Sequence, residues 1–132
     1  MHTHRSFFNP PALPHDVVEE AIERALRDPT DVADAADALV GSALDDDDFA
    51  FIQRCCVRVG TSAPAGNELL GLAGLCLGHT ARRFKQLSAE AEALVEHLAD
   101  RAERDPKDVD TRALDGRDDI RCYLHPDQVY DD

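Results

Sequence analysis

The sequence predicts an all-α fold, and three observations carry that prediction. Apolar residues recur every three or four positions in six stretches, the period of a helix with one buried face. No stretch alternates β-branched and polar residues, so nothing reads as a strand. Helix-stopping punctuation separates the stretches, and one such phrase is written twice: "RDPTDV" at Arg27–Val32 and "RDPKDV" at Arg104–Val109, 77 residues apart. With 132 residues, 43% of them apolar, the chain is long enough for one domain with a real core. The expected division is an irregular arm over 1–14, which holds three prolines, a single helical domain over 15–125, and an acidic tail over 126–132.

Helix 1 is expected from Asp16 to Arg27, with Val18, Ala21, Ile22 and Ala25 as its stripe. Pro29 stops it, because proline disfavours helical geometry in the residue before it. Helix 2 follows from about Thr30 to Ala43, lined by Val32, Ala35, Ala36, Leu39, Val40 and Ala43. Its Asp31, Asp34 and Asp37 recur every third residue and share one broad outer face. Helix 3 starts in the run "LDDDDF", with Asp45 or Asp46 as the cap. Phe49, Ile52, Cys56 and Val59 face inward, and Gly60 is expected to end the helix.

Helix 4, Asn67 to Phe84, is the most apolar and belongs at the centre. Gly71, Gly74 and Gly78 share a face, which suits the close approach of a neighbour. Helix 5 runs from Ser88 to Arg104, with Ser88 as cap and glutamates in its first turn. Helix 6 spans Val109 to Leu124, with Gly116 as a weak point in its middle. Short turns join these six helices into three antiparallel hairpins. The twin phrase then joins the two helices of the first hairpin and of the third. Its 77-residue spacing equals two steps of about 38, near the ~40–47 of HEAT and armadillo units.

The formal net charge is −13. That disfavours nucleic acid and anionic membranes as direct partners, because phosphate binding needs a basic footprint. The stretch from Asp28 to Asp48 contains eight aspartates and no lysine or arginine. Acidity of this kind also arises where a protein needs only solubility in high salt. No apolar run approaches the ~20 residues of a membrane span, and the N-terminus lacks the pattern of a signal peptide. The expected address is cytoplasmic. Cys55, Cys56, Cys76 and Cys122 form no C-x-x-C pair and read as reduced, mostly buried thiols.

The stretch "DDDDFAFIQRCCVRVG…NELLGLAGLCLGHTARRF…AEALVEHLADRA…ALDGRDDIRCYL" resembles the small HEAT-repeat-like proteins of bacteria over about residues 45–124. It lacks the proline usual in the first helix of each HEAT hairpin. The resemblance implies a short right-handed superhelix, and some small proteins of this kind are immunity proteins that neutralise a toxin.

Catalytic and cofactor motifs are missing. Glu96–His97 and the isolated His79 do not make the paired His-Glu ligands of HEAT-like metal enzymes, and His2 and His4 make a weak site. Asp45–Asp48 lacks the spacing of a calcium loop. The helix 4 glycines have no preceding strand and no Gly-Lys-Ser/Thr, so they do not cradle phosphate. His79 with Arg82 and Arg83 is a candidate small anion site, although cations also favour a helix C-terminus. No cofactor or metal is expected. The expected function is therefore a non-enzymatic protein-binding module, of immunity or antitoxin type, that masks a basic partner such as a nuclease toxin. Its binding residues would be Asp31, Asp34, Asp37, Asp45, Asp46, Asp47 and Asp48. An adaptor subunit in a larger assembly is the alternative, and a metal-dependent enzyme a more distant one.

Overall fold

The computed structural model describes residues 10–129, and His2, His4 and the tip of the tail lie outside them. Among the described residues there are six long helices and no strand: α1 (His15–Arg27), α2 (Ala33–Asp45), α3 (Phe49–Ser62), α4 (Glu68–Phe84), α5 (Ala89–Arg104) and α6 (Arg112–Leu124). A single helical turn, α7 (Pro126–Val129), follows where the sequence suggests only a tail. Among the described residues, no helix is long and apolar enough to cross a membrane.

The predicted stripes are largely the buried faces, except in α3, where Phe49 is only half-buried and Phe51 and Cys55, outside the expected stripe, are buried with Ile52, Cys56 and Val59. Val18, Ala21, Ile22 and Ala25 of α1 are buried, as are Ala35, Leu39 and Ala43 of α2. Helix α4 buries residues around most of its circumference, including Leu69, Leu70, Leu72 and Leu77. Each helix touches the next in sequence, α4 also touches α2 and α6, and α3 also touches α1 and α5. The α4–α6 contact is the most extensive.

Glycines make that contact possible. A Cβ placed on Gly71 would meet Asp110, one on Gly74 would sit 3.2 Å from Ala113 Cα, and one on Gly78 would sit 2.5 Å from Gly116 Cα. The pairings climb both helices together, so α4 and α6 run parallel. Gly116, the weak point of the sequence reading, is thus helical and buried against Gly74 and Gly78. Gly60 also departs from expectation. It does not end α3 but lies buried within its last turn, two residues before Ser62, where a Cβ would come 2.8 Å from a Leu94 methyl. Close packing against α5 needs that missing side chain.

The twin phrase builds the same turn twice. Asp28 follows the last residue of α1, and its carboxylate accepts hydrogen bonds from the Thr30 amide (3.0 Å) and the Thr30 hydroxyl (2.7 Å). Asp105 follows α5 and accepts from the Lys107 amide at 2.9 Å. The Asp31 and Asp108 amides then donate back to the Asp28 and Asp105 carbonyls, at 2.9 and 3.0 Å. These side-chain turns compete with helix for the same amides. For that reason α2 starts at Ala33 rather than Thr30, and α6 at Arg112 rather than Val109. Val109 is instead a buried plug in the linker.

The arm is ordered where it is described. Residues 10–14 are irregular, and a Cβ on Gly41 would collide with the Pro11 carbonyl. The arm therefore crosses α2 at its only glycine.

Candidate functional site

The acidic residues singled out from the sequence fall at the two ends of α2. Thirteen residues at about 1.5 Å rise separate those ends by about 20 Å. At the first end, Asp31 lies in the linker, and Asp34 and Asp37 lie on the helix; all three are exposed. Asp34 meets Arg24 of α1 at 3.4 Å, an exposed pair of the kind that adds little stability. Asp34, Asp37 and Asp45 share one side of α2, since positions eleven apart nearly superpose and positions eight apart lie about 80° from each other. Gly41 lies between them, and the arm covers that point. The predicted continuous acidic face is thus two patches with Pro10 and Pro11 between them.

At the second end, the four aspartates do four different things. Asp45 is the exposed last residue of α2, not the cap of α3. Asp46 follows it: its amide donates to the Ser42 carbonyl, and its carboxylate accepts from the Asp48 amide at 2.8 Å. The same carboxylate meets His15 Nε2 at 2.9 Å, and the His15 ring stacks on Phe51 at 3.5 Å. Asp47 is fully exposed, 3.7 Å from Arg83. Asp48 is the true cap of α3, accepting from the Phe51 amide at 3.0 Å. Geometry favours Asp48 because it directly precedes Phe49, the first residue of α3, and so reaches an amide of the first turn. Asp31, Asp37 and Asp45 have no ion pair among the described residues.

The trio His79, Arg82 and Arg83 does not converge on one anion. Arg83 donates to the carbonyls of Ala43 (2.8 Å) and Asp46 (2.9 Å), satisfying the C-terminal end of α2. Arg82 lies over the Tyr123 ring, 5.6 Å from its centroid. His79 instead lines a pocket of about 210 Å³ with Val40, Ala43 and Leu44 of α2, Leu75 and Cys76 of α4, and Asp119 of α6. Burial, then Arg82 and Arg83, lower the His79 pKa from its ordinary value. Burial raises that of Asp119, against the pull of Arg82 and His79. The sequence gives no hint of this pair, because forty residues separate its members and only the α4–α6 packing brings them together.

Cys55, Cys56 and Cys76 are buried free thiols, and Cys122 is exposed. Burial pushes the Cys55 thiol up to about 11, which leaves it a poor nucleophile. No group of three or more metal-ligating side chains comes together among the described residues.

No family model, curated protein or solved structure matches this chain.

Proposed function

We propose that this chain is a non-enzymatic protein-binding module that masks a basic partner protein, in the manner of an immunity or antitoxin protein. In this reading its scaffold is a short right-handed HEAT-like superhelix of three hairpins, and its address is cytoplasmic. The single observation that carries the proposal is the acidic surplus at the ends of α2. Asp31, Asp37 and Asp45 are exposed and have no ion pair among the described residues, and Asp47 is fully exposed. Such a field attracts and orients a basic surface. The neighbour relations of the helices suit stacked hairpins, whose flanks are binding surfaces.

Co-expression with the product of the neighbouring gene is the test. A stable complex with a basic, toxin-like product supports the proposal, provided it weakens when Asp31, Asp37 and Asp45 are changed together to lysine. A complex indifferent to those changes at low salt would remove the electrostatic reading.

A further inference from the structure

We propose that the pocket between α2, α4 and α6 binds a small primary amine with a hydrocarbon body, its ammonium group paired with Asp119. The walls are apolar: Val40, Ala43, Leu44 and Leu75, with the Cys76 thiol beside them. Only His79 and Asp119 add polarity. At about 210 Å³ the space lies below the ~300 Å³ at which sites for drug-sized ligands begin, so the ligand is small.

Asp119 sets the ligand's charge. Its carboxylate is half-buried and has neither hydrogen bond nor ion pair among the described residues. Partial burial raises the cost of its charge, and a cation or donor in the pocket would offset that cost. Arg82 lies near enough to influence it, but that guanidinium sits over Tyr123 and does not line the pocket. Asp115 and Asp118 on the same helix add negative potential. A carboxylate ligand would be set against Asp119 itself, and a neutral ligand would leave Asp119 without a cation inside the pocket. His79 completes the site: burial and the two arginines favour its neutral form, which has a ring nitrogen free to accept from an ammonium.

The test uses the full chain, benzylamine as the probe, and benzyl alcohol and benzoate as controls. Benzylamine is expected to shift the NMR signals of Leu44, Leu75 and His79 saturably. Benzyl alcohol and benzoate should bind at least about tenfold more weakly, the scale of one charged hydrogen bond. Asp119→Asn should weaken benzylamine binding by a similar factor, whereas Asp118→Asn, one residue away and exposed, should not. Ala43→Leu, which fills the pocket, is the third variant and should abolish the shifts. Absence of saturable shifts, equal affinity for the alcohol, or unchanged affinity in Asp119→Asn would overturn the assignment. No protein partner enters the measurement, so its failure leaves the masking proposal untouched, and the reverse holds.

Discussion

Four consecutive aspartates offer four carboxylates to one helix start, and only Asp48 reaches the Phe51 amide. Asp48→Ala should therefore cost about 1 kcal/mol, read as a lower urea midpoint. Asp47→Ala, whose residue is fully exposed, should stay within about 0.5 kcal/mol. The sequence shows that an aspartate caps α3 but not which one, because the choice depends on where α2 ends. His79 carries a second expectation at this scale. Its folded pKa is lowered by burial, so the folded state prefers the neutral ring. Its contribution is then present above the ordinary value of 6.5 and is lost as pH falls toward the lowered one. His79→Gln should flatten the decline of stability just below that value, as seen by thermal melts in a pH series. Further down, Asp28, Asp108, Asp110 and Glu103 all have lowered pKa values through hydrogen bonds to Thr30, Arg101, Arg112 and Arg117. Their contributions are present above their ordinary values of 3.8 and 4.5 and disappear in more acid solution. Asp119 acts in the opposite sense, since its pKa is raised.

At the scale of elements, the six stripes were legible because burial of a helix face imposes its period on the sequence. Helix ends were less legible where a side chain could take an amide from the helix, as Asp28 and Asp105 do. The glycines of α4 marked a close neighbour, but the neighbour's identity needed the fold. Replacing Gly78 with alanine places a methyl 2.5 Å from the Gly116 backbone, and backbone cannot rotate aside as a side chain can. The expected loss is about 1–3 kcal/mol, measured by chemical unfolding, even though alanine is the better helix former. Gly41→Val tests the arm separately. It should expose the chain before Pro14 to limited proteolysis while the helical circular dichroism stays unchanged. The arm's seat was invisible in the sequence because Gly41 looked like any small residue on α2.

For the whole molecule, a net charge of −13 dominates the long-range energetics. The ion pairs are mostly exposed, such as Arg121–Glu96 and Arg24–Asp34, and pairs of this kind contribute about 0–1 kcal/mol each. Self-repulsion among the surplus acids therefore outweighs their screening losses, and the melting temperature should rise as NaCl is added to a low-salt solution. A fall would mean that specific pairs such as the bidentate Arg101–Asp108 matter more than the net charge. Composition made this surplus plain from the start. The carboxylate of Asp119, without a partner among the described residues, was not plain, because nothing distinguishes it in sequence from Asp115 or Asp118.

The glycine contacts of α4 with α6 carry one further consequence. Backbone meets backbone at successive turns, as teeth meet notches on two parallel racks. Sliding either rack by a single residue would drive a leucine into a notch sized for hydrogen. Helix α6 is thereby keyed to α4 at one setting, so the two helices cannot shear past one another.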